Sequence, residues 1–183
     1  DTDITNSGGG GTFAFNNAGT FRRSGTGDSL VGVPFNHSGS VEVQSGSVSL
    51  FGSGMSNSPM TVSSGATLAF TGGAYTLNNG AALDGAGAYL LSDANLGGTL
   101  LNVAGTVATA ATSTFTHAEG SVGGTGNLIV NGVYNWSGFG DQTGTGTTTI
   151  AVGATLNLSG TGSKDIFQRT LNNFGTTNVT TTG

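Results

Sequence analysis

The sequence of 183 residues contains no cysteine and only two prolines, and only 7% of its residues are charged. Without cysteine the chain can form neither disulfides nor thiolate metal sites. A soluble domain usually has about 25% charged residues, so solubility here must come mainly from uncharged Ser, Thr, Asn and Gly. Four basic residues against nine acidic ones exclude the positive surface that nucleic acid or anionic lipid requires, so we expect no nucleic-acid partner.

Long apolar runs are missing as well. No run approaches the ~20 residues of a membrane helix, and the first residues lack the basic and apolar segments of a secretory signal. We therefore expect no membrane insertion by this segment, and we expect any export signal or anchor to lie outside it. Collagen is excluded because glycine does not occupy every third position and proline is scarce.

Glycine instead separates short runs in which polar and apolar residues alternate. Two short sequence motifs, called phrases below, are repeated. The first recurs at residues 15–20, 35–40 and 171–176, and the second recurs at residues 62–70 and 152–158. Each phrase combines a glycine turn, a small polar residue, and two apolar residues separated by a polar one. This period of two is typical of β-strands, and glycine at this density would break a helix. The chain is therefore predicted to be all-β.

Such short strands are not stable as isolated hairpins. A solenoid solves this problem, because each coil places its strands in parallel on the strands of the coil below. The repeat spacing predicts a right-handed parallel β-helix of roughly nine coils of about 20 residues. We expect residues 1–183 to form one continuous β-solenoid that belongs to a longer repeat protein. The competing architecture is a β-sandwich or an up-and-down barrel, for which Asn79-Gly80 and Asn131-Gly132 would be hairpin turns.

Asparagine occupies the same place in the three copies of the first phrase. Asn16, Asn36 and Asn172 follow the first apolar residue of their copies. We expect their side chains to form an amide ladder from coil to coil at one corner, where the bend would otherwise leave polar groups unpaired.

No group of residues in the sequence indicates catalysis or metal binding. The nine acids are scattered along the chain, and His37 and His117 lie far apart without companion ligands. We therefore predict no catalytic, cofactor or metal site and no enzymatic activity. Tyr134, Trp136 and Phe139 form the densest aromatic group. They could be an exposed cluster that stacks on sugar rings, or alternate members could fill the core.

Several runs resemble the repeats of very large bacterial surface and secreted proteins. They are GTFRRSGTG at residues 19–27, the run over residues 35–50, GATLNLSG at residues 153–160, and the run over residues 164–176. These runs are similar to β-strand-repeat proteins in the style of filamentous haemagglutinins and autotransporter passengers. The resemblance covers nearly the whole chain and brings no catalytic residue with it.

That resemblance implies an extracellular or cell-surface location and a role as a structural or adhesive rod. A glycan-binding module is the alternative, and a polysaccharide-active enzyme is a more distant one. No capping segment is evident at either end, and an uncapped solenoid exposes unpaired backbone groups. We therefore also expect end-to-end self-association into filaments, with surface glycans as the other expected partner.

Overall fold

The computed structural model describes residues 2–8, 11–93 and 98–180, and this part of the chain consists of short strands and turns without any helix. The strands are, in chain order, β1 (Phe15–Asn17), β2 (Thr20–Arg23), β3 (Asp28–Val31), β4 (Phe35–His37), β5 (Ser40–Val43), β6 (Ser47–Leu50), β7 (Gly54–Ser56), β8 (Pro59–Val62), β9 (Thr67–Phe70), β10 (Ala74–Leu77), β11 (Ala82–Gly85), β12 (Ala88–Leu91), β13 (Leu100–Val103), β14 (Thr106–Ala108), β15 (Thr114–His117), β16 (Ser121–Gly123), β17 (Asn127–Val130), β18 (Val133–Trp136), β19 (Asp141–Gln142), β20 (Thr147–Ile150), β21 (Thr155–Ser159), β22 (Thr170–Asn173) and β23 (Thr176–Thr180).

Successive strands lie on three faces of a parallel β-solenoid. Face one is a seven-stranded sheet from β1 to β19, and face three is an eight-stranded sheet from β3 to β23. Face two consists of two four-stranded sheets, one running from β2 to β11 and the other from β14 to β22. A parallel bridge between Leu83 and Thr109 connects these two sheets. Three strands thus make one coil: coil one contains β1–β3, and coil eight contains β22 and β23.

The solenoid has about eight turns, close to the nine that were expected. The difference arises because coils vary in length. Stacked residues of neighbouring coils are 20 positions apart at Asn16 and Asn36, but 26 positions apart at Thr76 and Asn102. Strand pairing is parallel throughout the described ranges, which excludes the sandwich and the up-and-down barrel.

The alternation of polar and apolar residues sends every second side chain into the interior. On face three one inward column runs through consecutive strands and is fully buried; it contains Val48, Leu68, Tyr89, Phe115, Tyr134 and Leu156. Burying an aliphatic or aromatic side chain of this size stabilises a fold by about 1.5–3 kcal/mol. The stacked columns therefore provide the main driving force for folding.

Glycine makes the corners possible where coils touch most closely. Gly46 has φ of +67°, a conformation that side chains with a β-carbon rarely adopt. A β-carbon at Gly46 would also overlap the carbonyl oxygens of Gly25 and Gly27 in the coil below. Any substitution there would force two coils apart.

Candidate functional site

The predicted amide ladder exists for two of its three members. Asn36 Nδ2 donates to Asn16 Oδ1 over 3.0 Å. Both residues point outward from the middle of strands β1 and β4, so the ladder lies on a face and not at a corner. Asn172 lies on face two in register with Thr149, so its assignment to this ladder was wrong. The same phrase can occupy any face, because all three faces share the period of two.

A second amide ladder on face three was missed. Asn157 Nδ2 donates to Asn135 Oδ1 over 2.8 Å, and Asn178 Nδ2 donates to Asn157 Oδ1 over 2.9 Å. The flanking residues of these three asparagines differ, so no repeated phrase identifies them. What they share is a position that only the structure shows, since each is the third residue of its strand.

The aromatic group divides between the interior and the surface. Tyr134 and Trp136 are 0% and 1% exposed, whereas Phe139 is 71% exposed. Because Tyr134 and Trp136 fill the core, they cannot reach a glycan, and the interpretation of the three residues as one exposed cluster was wrong. Their side chains pack with the ring of His117, whose plane is within 9° of Tyr134 and 11° of Trp136.

A chain of polar side chains crosses the interior of coils five to eight. Arg169 Nε donates to Thr148 Oγ1 over 2.9 Å, and the Thr148 hydroxyl donates to Gln142 Oε1 over 2.6 Å. Gln142 Nε2 then lies 3.2 Å from the Tyr134 hydroxyl oxygen, which in turn lies 2.9 Å from His117 Nδ1. We call these five residues the polar chain. They come from five separate strands or turns that only the coil stacking brings together.

The hydrogen bonds of the polar chain all run in one direction. His117 Nε2 is 3.1 Å from the carbonyl oxygen of Gly120, which can only accept, so Nε2 carries the proton. Nδ1 is then an acceptor, and Tyr134 must donate to it. The Tyr134 hydroxyl hydrogen is available for this bond, because the oxygen of the same hydroxyl accepts from the amide of Gln142. Each donor therefore has an acceptor, as burial requires.

Arg169 begins the polar chain and is 4% exposed. Its Nη2 donates to the carbonyl oxygens of Gly126 and Thr147, over 3.2 Å and 3.0 Å, without a carboxylate at these contacts. Burial lowers the pKa of Arg169 by removing water from the guanidinium group. The preceding residue, Gln168, has φ of +64°, an uncommon conformation at the turn that leads into β22. Nothing in the sequence predicted that this arginine would be buried.

The chemistry of the polar chain is that of a structural element. The pKa of His117 is lowered to about 4, mainly by burial; the hydrogen bond with the Gly120 carbonyl opposes this shift, and the nearby positive charge of Lys164 adds a smaller lowering. Burial likewise raises the pKa of Tyr134. At neutral pH His117 is therefore neutral and Tyr134 keeps its proton. Both side chains are closed off from solvent, so no substrate can reach them.

A serine and a histidine also meet inside the N-terminal coils. Ser56 Oγ lies 2.8 Å from His37 Nε2, a distance typical of a nucleophile and its base. However, the Ser56 hydroxyl donates to the Ser58 carbonyl oxygen over 2.7 Å. Ser56 and His37 are 0% and 1% exposed, so this pair stabilises the coil stack and cannot attack a substrate.

Within residues 2–8, 11–93 and 98–180, no three His, Asp or Glu side chains are grouped so that they could hold a metal. The same ranges contain no helix that could cross a bilayer. Arg22 and Glu42 form an exposed ion pair between coils, with Nε and Oε2 2.8 Å apart. An exposed pair of this kind contributes little to stability, because water and salt screen the two charges.

The sequence matches no protein-family model, and no significantly similar chain is found among curated proteins or solved structures.

Proposed function

We propose that this chain is an extracellular structural rod of a bacterial surface protein, in which length and stiffness are the function. The observation that carries the proposal is face three, where eight parallel strands stack in continuous register from β3 to β23. Stacking of this kind gives a quasi-one-dimensional structure in which each coil is held by its neighbours. The apolar columns fill the space inside.

Two further observations support the proposal. The titratable groups with the most strongly lowered or raised pKa values, including His117 and Tyr134, are sealed in the interior and take part in packing. The repeats resemble those of filamentous haemagglutinins and autotransporter passengers, which serve mostly as stalks and adhesive rods. We extend that role to this chain, and end-to-end assembly stays a prediction.

A coil deletion tests whether the chain is a modular rod. Residues 47–66 make one complete coil, since Ser47 and Thr67 occupy the same register position on face three. Because the chain has no cysteine, spin labels can be placed at cysteines introduced for Thr20 and Thr170, on face two of coils one and eight. Seven coil steps of ~4.8 Å place the labelled sites ~34 Å apart.

For the unmodified chain we expect one narrow distance distribution in double electron–electron resonance. The deletion of residues 47–66 should fold cooperatively and shorten the distance by ~4.8 Å. The matched control is a deletion of residues 47–56, which removes β6 and β7 and should unfold the protein because the remaining connection from β5 to its parallel neighbour β8 would be too short to go around the coil. A broad distribution for the unmodified chain, or unfolding of the full-coil deletion, would contradict the proposal.

Antibody labelling of the source cells tests the proposed location. Intact cells should be labelled as strongly as permeabilised ones if the rod is displayed outside. Labelling that requires permeabilisation would show that the location is wrong, whatever the spin-label distances are.

A further inference from the structure

Phe139 is exposed in a way that the packing does not explain. It is 71% exposed, more than any other aromatic side chain in the described part of the chain, and it lies between coils six and seven, away from the first and last coils. A single exposed apolar side chain is common on protein surfaces, so the significance of Phe139 depends on the turn and the hollow around it. Trp136, three residues earlier, is fully buried, so the exposure is specific to this position.

The turn that carries Phe139 is held rigidly. Trp136 Nε1 donates to the Gly140 carbonyl oxygen over 2.7 Å, and Lys164 Nζ donates to the Gly138 carbonyl oxygen over 3.0 Å. The two glycines fit tightly: a β-carbon at Gly138 would overlap the backbone of Ala118, and one at Gly140 would overlap the imidazole ring of His117. The ring of Phe139 is thus presented by a preorganised backbone, which reduces the entropy that a ligand must overcome on binding.

Phe139 contacts Gly162 and also lines a hollow. Gly162 lies against the ring, since a β-carbon there would be only 2.9 Å from Phe139 Cδ1. The hollow has a volume of about 320 Å³, and its described lining consists of Asp93, Glu119, Gly120 and Phe139. Ligand sites usually measure about 300–1,000 Å³, so this hollow has room for a single sugar ring.

Both charged side chains in the described lining of the hollow are acidic. Asp93 and Glu119 belong to successive coils and both line it. The Asp93 carboxylate accepts hydrogen bonds from the backbone amides of Gly98 and Thr99, over 2.8 Å and 3.4 Å, so Glu119 is the acid that we assign to a ligand. Lys164, the only lysine in the sequence, bonds to the carbonyl oxygens of Gly138 and Gly162, so one positive charge also lies at the turn that carries Phe139.

From this geometry we infer that the hollow binds a cationic amino sugar, with the apolar face of the pyranose ring on Phe139 and the ammonium group toward Glu119. The aromatic ring supplies stacking and cation–π attraction, and the Glu119 carboxylate supplies a charge-assisted hydrogen bond. Sulfated or phosphorylated sugars would be repelled by the acidic lining of the hollow. A neutral sugar would gain the stacking alone. The inference does not depend on the rod proposal, since it concerns one turn between two coils.

Calorimetric titration of the full chain with glucosamine oligomers at slightly acidic pH tests this inference. We expect saturable binding that weakens as salt is raised. Phe139→Ala and Glu119→Gln should each weaken binding by about tenfold, equivalent to losing one aromatic or one charged contact. The matched controls are Phe174→Ala, a phenylalanine that is 64% exposed in the last coil, and Asp84→Asn, an acid on face two; both should bind as the unmodified chain does.

N-acetylated oligomers of the same length provide the ligand control, because acetylation removes the positive charge and keeps the ring. They should bind at least about tenfold more weakly. Equal binding of the acetylated oligomer, unchanged binding by Phe139→Ala, or no binding by the unmodified chain would each overturn the inference. Thermal unfolding of every variant verifies that a loss of binding does not come from a loss of fold.

Discussion

Two sections of the same interior are filled in different ways. In coils three and four the inward positions are almost entirely apolar; we call them the apolar section, and they include Met60, Val62, Leu68, Phe70, Leu77, Leu83 and Leu91. In coils five to eight the polar chain occupies equivalent inward positions. Phe70 and His117, for example, belong to one column of face three, with Leu91 between them. The β-solenoid therefore accepts either filling, provided that the space is occupied and each polar group has a partner.

The two sections should differ in how they respond to change. The apolar section is stabilised by burial, which is non-directional and independent of pH. In the polar chain each hydrogen bond adds a net ~1 kcal/mol, but a group that loses its partner costs about 1–3 kcal/mol because it stays buried without compensation. Substitutions that remove side-chain volume should therefore lower the stability of the apolar section most. The stability of the polar chain should depend on each hydrogen-bond partner being present and on the protonation of its groups.

The largest effect is expected for Phe70→Ala in the apolar section. Phe70 is fully buried and its ring packs on Tyr75, with ring centres 5.2 Å apart. Removing the ring should lower the free energy of unfolding by about 4 kcal/mol, as the transfer and cavity contributions combine. Urea denaturation at pH 7.5 and pH 5 should give the same loss. Phe174→Ala in the last coil, where the ring is 64% exposed, should change stability by less than about 0.5 kcal/mol. A difference between the two pH values would show that the sections are coupled.

The next largest effect is the pH dependence produced by His117 in the polar chain. In the folded protein its pKa is about 4, below the value of 6.5 of a free histidine. As pH falls, the unfolded chain therefore binds the proton first. Stability should decrease between about pH 6.5 and pH 4 and show no further change from this residue below pH 4. The full decrease should be about 3 kcal/mol, from 1.36 kcal/mol per pKa unit.

His117→Asn isolates that contribution, since the asparagine oxygen can replace Nδ1 as the acceptor for Tyr134. Acidic side chains also titrate in this range, so the measured quantity is the difference in unfolding free energy between the two proteins across pH. The variant should have the shallower pH dependence. A residual slope is expected from His37, whose pKa burial also lowers. Parallel curves for both proteins would show that His117 is not buried in its neutral form.

The sequence predicted the stacking of the coils better than the polar contacts inside them. The alternation of polar and apolar residues, together with the glycine turns, was enough to predict parallel stacking. Two copies of the first phrase, 20 residues apart, correctly predicted that the side chains of Asn16 and Asn36 form a hydrogen bond. The same phrase at Asn172 was misleading, because coil lengths vary and the phrase falls on another face. Arg169 could not be recognised as buried, since arginine normally stays exposed and its acceptors are backbone carbonyls without a sequence signature. Phe139 was named, but its separation from Tyr134 and Trp136 depends on a turn that only the structure shows.

The smallest and most discriminating effect is expected from a pair of tyrosines in one column of face three. Tyr89 and Tyr134 both contact Phe115, which lies between them without a hydroxyl group. The Tyr89 hydroxyl contacts backbone groups, among them the carbonyl oxygens of Met60 at 2.6 Å and Asp84 at 2.7 Å. The Tyr134 hydroxyl, by contrast, is hydrogen-bonded to the side chains of both Gln142 and His117.

Tyr134→Phe should therefore lower the free energy of unfolding by about 2 kcal/mol, because it leaves a buried donor and a buried acceptor without partners. Tyr89→Phe should cost about 1 kcal/mol, the value of one hydrogen bond. Tyr134→Phe should also shift the ring-proton titration of His117, which can be followed by NMR, whereas Tyr89→Phe should leave it unchanged. Equal losses for the two variants, with no change at His117, would mean that the polar chain stabilises the protein no more than separate hydrogen bonds would.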